Sequence, residues 1–157
     1  MAERDLYVFE NQSSIPPGIL HVITTVLSSW DNPDTNYNYV EMFNPDGTLD
    51  VHDRPAKGRD EIHQLHAIMI NPTNGPVVRV QHHVDKLYMR PTKLEGGRAE
   101  VIFTGFMVTY LKNGQEVLTD YASSVTMSPS EGGELRADYW KAFIDRSKVA
   151  EAIEEMF

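Results

Sequence analysis

FNPDGTLDVHDRPAKGRDEIHQLHAIM, residues 43–69, is the stretch on which the reading of the fold turns. Asn44-Pro45-Asp46-Gly47 has the composition of a tight turn, with proline fixing φ and glycine supplying a positive φ. Residues 48–52 then alternate as a short strand does. A polar connection carrying Pro55 and Gly58 follows, and Asp60 and Glu61 place negative charge where a helix N-terminus favours it. From Ile62 the apolar residues recur as Ile62, Leu65 and Met69, a helical period. The order is strand, loop, helix, and the loop is long enough to lay the helix across a sheet.

On the C-terminal side, residues 71–76 (NPTNGP) are a loop, and four segments with strand character come after it: 77–90, 98–111, 116–128 and 135–146. Glu95-Gly96-Gly97, Asn113-Gly114 and Glu131-Gly132-Gly133 separate them as hairpin signals. Strands about twice the usual five or six residues long must twist and curl. On the N-terminal side, residues 1–14 read as a flexible arm, and Pro16-Pro17 opens a helix. Its stripe is Ile19, Val22, Ile23, Val26, Leu27 and Trp30, and Asp31-Asn32-Pro33 ends it. A second helix is expected from Asp34 or Thr35 through Phe43, and a short one over 148–157. Residues 15–157 are therefore expected to form a single α+β domain. Three N-terminal helices would pack in a strongly curved, mostly antiparallel, cone-shaped sheet, with the short helix closing the chain.

The 157 residues suit one domain with a real core, and 41% hydrophobic against 24% charged residues is ordinary for a globular protein. A formal net charge of −9 argues against a nucleic-acid or anionic-membrane partner. There is no cysteine for disulfide or thiol chemistry, and residues 1–5 lack the basic start of a signal peptide, so a cytoplasmic location is expected. No glycine-rich loop follows a strand in the manner of a nucleotide site, and no cofactor is expected. His63 and His66 lie three apart on a helix with His52 before them, yet no His-Glu-x-x-His pattern accompanies them, and no metal site is expected.

Phe43-x-Pro45-Asp46-Gly47-x-Leu49 followed by Gly58-Arg59-Asp60-Glu61-Ile62 resembles the strand-to-helix signature of the nuclear transport factor 2-like superfamily. Its small enzymes include SnoaL-like cyclases and scytalone dehydratase. The resemblance implies the same cone, spanning about 15–146, and a homodimer paired through the outer face of the sheet. A cone closed at one end leaves a pocket at the other, the usual form of a small-molecule site.

His82 is the first candidate for chemistry. Along VRVQHHV, residues 78–84, alternation puts Val78, Val80, His82 and Val84 on the buried face and Arg79, Gln81 and His83 on the other. An inward imidazole is either a core histidine bonded to backbone or an acid–base group, and the run is similar to a scytalone dehydratase-like strand that presents a catalytic histidine. Asp31 is the second. Trp30-Asp31 resembles an aromatic-Asp pair lining the pocket of those enzymes, with Trp in place of the usual Tyr. Asp-Asn-Pro is equally a helix stop.

Departures are informative too. Phe103-Thr104-Gly105-Phe106 stands where those relatives carry another pocket histidine, and Ala142 stands where limonene epoxide hydrolases place a catalytic aspartate. Neither activity is expected intact. Trp30, Tyr39, Asp50, Phe103, Tyr121, Ser124 and Trp140 are the candidate substrate-binding residues. The expected function is a cofactor-independent isomerase, cyclase or dehydratase working by acid–base chemistry. Its substrate would be an apolar oxygenated small molecule, such as a polyketide or terpenoid intermediate. The alternative is a non-catalytic ligand-binding or dimeric assembly module of the same fold.

Overall fold

The computed structural model describes residues 6–90 and 95–157. Its elements are α1 (Pro17–Asp31), β1 (Phe43–Val51), β2 (Pro55–Lys57), α2 (Gly58–Met69), β3 (Val77–Met89), β4 (Ala99–Leu111), β5 (Glu116–Pro129), β6 (Leu135–Ile144) and α3 (Ser147–Glu154). The strands form one sheet in the order β2-β1-β6-β5-β4-β3, antiparallel throughout except where β1 runs parallel to β6. The architecture is the expected α+β one. The α1 stripe from Ile19 to Trp30 is buried as its period requires, and α1 packs on β3 and β6 while α2 packs on β1.

Within 43–69 the structure refines the reading. The Asn44–Gly47 turn does not precede a strand but lies inside β1 as a bulge, where pairing with β6 jumps from Phe43 opposite Ala137 to Thr48 opposite Tyr139. Gly47 is not among the residues of positive φ. Glycine is required there by close approach, because a Cβ would sit 2.9 Å from the Ala137 carbonyl oxygen. The Phe43 carbonyl, left over by the bulge, accepts hydrogen bonds from Arg59 Nε and Nη2 at 3.1 and 2.8 Å. The first turn of α2 is thereby tied to the strand, and Glu61 caps it by accepting the Lys57 N–H at 2.7 Å. The turn between β1 and β2 puts His52 and Asp53 at φ 48° and 65°, left-handed conformations that favour glycine or asparagine.

The second expected helix shrinks to a 3-10 segment, Asn38–Met42. Side chains of Asn32, Thr35 and Asn36 each accept a backbone N–H two residues on, and these local turns compete with helix through the first half of the segment. Tyr37 then enters the left-handed region at φ 64°.

The N-terminal arm is also different from its reading. Residues 1–5 lie outside the described residues, but from Tyr7 onward the arm is part of the fold. Phe9 is 1% exposed and meets Phe103 edge-on. Asn11 brackets Leu87 with two hydrogen bonds, and the Glu10 N–H donates to the Asp85 carbonyl. The arm thus covers the free edge of β3, which otherwise presents unpaired backbone groups. Composition alone could not reveal it, because one buried phenylalanine and three hydrogen bonds made by Glu10 and Asn11 fix the segment. On the outer face of the sheet Ile102, Leu118, Tyr139 and Phe143 stay exposed; this is the face through which the resemblance implies that a second copy pairs. No helix among the described residues is long and apolar enough to cross a membrane.

Candidate functional site

The inner face of the sheet, α1 and the start of α3 surround a cavity of ≈ 100 Å³. Its walls are mostly apolar: Val26, Leu27 and Trp30 from α1, Leu49 and Val51 from β1, Val77 and Val80 from β3, and Trp140 and Ala142 from β6. His82, Tyr121, Ser123, Thr109 and Thr119 bring polar atoms to it. The space is smaller than the roughly 150 Å³ cavity that holds a benzene ring and is partly open, so a small ring fits only where the wall gives. Met69 and Met107 in the wall allow it to adapt.

His82 sits on β3, the edge strand, with its side chain 13% exposed. Its Nδ1 lies 2.6 Å from Oδ1 of Asp31, the last residue of α1, whose side chain is 3% exposed. The other carboxylate oxygen, Oδ2, accepts three more hydrogen bonds: from the His82 backbone N–H at 2.9 Å, the Tyr7 hydroxyl at 2.6 Å and the Gln81 amide at 3.0 Å. The backbone bond has a simple origin. Alternate N–H groups of an edge strand point away from the sheet, and the carboxylate at the end of α1 takes the place of a strand partner. With Asp31 as acceptor the ring proton lies on Nδ1, which leaves Nε2 with its lone pair as the nitrogen available to the cavity. The Tyr121 ring meets the imidazole edge-on at 5.4 Å. Its hydroxyl donates a long bond, 3.3 Å, to the His83 carbonyl, and burial drives its pKa upward, so it stays a neutral phenol.

No protein-family model and no curated protein matches this chain by sequence. Solved structures do match it by shape. ActVI-ORFA from Streptomyces coelicolor superimposes with a TM-score of 0.66 at 14% identity, covering 82% of this chain and 96% of that one. Nuclear transport factor 2 from Cryptosporidium parvum gives 0.61 at 14% identity, over 80% and 90%. A Catenulispora acidiphila protein solved in complex with S-DNPA gives 0.65 at 18% identity, over 85% and 95%. The chain has the nuclear transport factor 2-like fold.

Within that nuclear transport factor 2-like fold the expected residues separate into two groups. His82, Trp30, Tyr121 and Trp140 line the cavity, and Asp31 stands directly behind His82. Ala142 lines it as well, an apolar wall at the position the resemblance singled out. The others do not line it. Phe103 is fully buried in the core, edge-on to Tyr121 and Trp140. Asp50 accepts the Tyr139 hydroxyl at 3.1 Å, since Leu49 and Val51 take the inward positions of β1. Ser124 pairs with Ile102 and Lys141 on the outer side, and Ser123 is the serine in the wall. Period two would have found this, because Tyr121 and Ser124 are an odd number apart on one strand.

Tyr39 bonds to Nδ1 of His66 at 2.8 Å, away from the cavity wall. His66 is itself buried and stacked on Trp30 at 4.2 Å. Burial, reinforced by the nearby His63, lowers its pKa from 6.5 to about 4. The native state therefore holds this imidazole neutral, while the unfolded chain protonates it below 6.5. That contribution to stability is complete above about pH 6.5 and is lost as pH falls towards 4. Shifts of this size correspond to about 3 kcal/mol. Urea unfolding at pH 7 and pH 4.5 should show wild type losing more stability than His66→Phe; parallel losses would refute the assignment.

Tyr7 and Gln81 were not foreseen. Alternation places Gln81 on the far side of β3, but at a sheet edge a long side chain curls round to Asp31. Tyr7 supplies the phenol that Trp30 lacks, and delivers it to the carboxylate.

Proposed function

We propose that this chain is an enzyme that moves protons on an apolar, oxygenated small molecule, in an isomerisation, cyclisation or dehydration such as occurs on polyketide or terpenoid intermediates. The observation that carries the reading is His82, held through Nδ1 by Asp31, in the wall of an apolar cavity. Its Nε2 takes a proton from the carbon beside a carbonyl. The enolate oxygen gains the Tyr121 hydroxyl, which exchanges its long bond to the His83 carbonyl for a charged acceptor. The imidazolium then returns the proton to another carbon, or to a departing hydroxyl that leaves as water. The Catenulispora acidiphila neighbour, solved in complex with S-DNPA, supports the reading of this fold as one that holds a ligand.

The partial reaction tests this with no need for the natural substrate. The wild-type protein should speed exchange of the α-protons of cyclohexanone into D2O, followed by proton NMR. His82→Gln should lower that catalysed rate by roughly 10²–10⁴-fold while staying folded. A wild-type rate in the variant removes His82 from the mechanism.

A further inference from the structure

Arg146 lines the same cavity, in the step between β6 and α3. Its side chain is half-buried. The ion pairs among the described residues join His82 to Asp31, Lys86 to Glu10, Arg90 to Glu100 and Arg136 to Glu134, and none involves Arg146. The adjacent carboxylate, Asp145, also lines the cavity but is engaged elsewhere: its Oδ1 accepts the Ser147 N–H at 2.9 Å at the start of α3. Burial first, and then the nearby Arg54, push the guanidinium pKa down, so both disfavour the cation where it stands. The sequence has 23 acidic and 14 basic side chains, yet among the described residues no carboxylate pairs with this cation, which shares the cavity wall with Ile144, Val149 and Ile70.

We infer that Arg146 is the anchor for a carboxylate on the small molecule that enters the cavity. The planar guanidinium matches a carboxylate through two parallel N–H···O bonds, and low-dielectric surroundings strengthen the pair. A single lining guanidinium, with the Asp145 carboxylate also in the wall, matches at most one negative charge and leaves a phosphate dianion uncompensated. The inference rests on the reading of the cavity as a small-molecule site and narrows it: the substrate is an organic acid with an apolar ring. Arg146 neutralises its charge so that the ring can enter, and His82 acts on the part that reaches it.

Benzoate and benzamide, similar in size and different in charge, are the probes. Calorimetric titration should show wild type binding benzoate at least about tenfold more tightly, a difference of roughly 1.4 kcal/mol. Arg146→Gln should abolish the preference with an unchanged melting temperature, since no ion pair among the described residues is lost, and Arg146→Lys should keep part of it. His82→Gln should keep the preference whole. The inference is overturned if wild type binds the two probes equally or binds benzoate more weakly than about 10 mM. A preference that survives Arg146→Gln, or disappears in His82→Gln, overturns it too. The assay contains no turnover, and cyclohexanone carries no acid, so each proposal can fail while the other stands.

Discussion

Asp31→Asn is expected to cut catalysed proton exchange by roughly 10²–10⁴-fold while leaving the protein folded. The reason lies in the hydrogen-bond count. Oδ2 receives three donors, Tyr7, Gln81 and the His82 backbone, and among the described residues Oδ1 faces His82 Nδ1 alone. An asparagine can satisfy the three donors only with its carbonyl oxygen, which turns its NH2 group onto Nδ1. His82 must then accept at Nδ1, and the ring proton moves to Nε2, the nitrogen that has to take a proton from substrate. The variant keeps its shape and loses its base. Nitrogen-15 NMR of the imidazole should report the switch from the Nδ1–H to the Nε2–H tautomer. Asp31 would then be a positioning residue, acting through His82. Unchanged exchange in Asp31→Asn, or an unaltered tautomer, would leave Asp31 as no more than the cap on the free edge of β3.

That pair also marks what the sequence made legible. The long strands were readable because alternation and glycine-bearing hairpins agree: the 116–128 reading became Glu116–Pro129, and 98–111 became Ala99–Leu111. The same alternation aimed His82 inward. It could say nothing of Asp31, which is 51 residues away from His82; only the resemblance brought the two together. Periodicity describes one element at a time, so contacts made across an edge, such as those of Tyr7 and Gln81, escape it. The turn 44–47 failed for a related reason. Its composition announces a turn, but whether the chain turns out of a strand or bulges within one depends on the partner, β6. That no carboxylate among the described residues pairs with Arg146 is likewise a fact about neighbours.

Gly105 is the position at which the fold and the site depend on a single missing atom. A Cβ built there would lie 2.0 Å from the His83 carbonyl oxygen and 2.8 Å from the Tyr121 hydroxyl. The first is backbone of the paired strand, for Gly105 stands opposite Val84, just before the irregularity between Val84 and Leu87. It cannot yield without parting β3 from β4. The second is the phenol that His82 meets edge-on and that donates to the same carbonyl. Gly105→Ala is therefore expected to destabilise the protein by about 3 kcal/mol or more, which for a chain of this size lowers Tm by roughly 6–12 °C. Gly105→Ala in a Tyr121→Phe background relieves only the hydroxyl contact and should recover little of the loss, because the strand clash dominates. Thermal unfolding of the two variants decides this. A Gly105→Ala protein that melts with wild type would show that β3 and β4 are free to separate here, and with them the carbonyl against which Tyr121 is set.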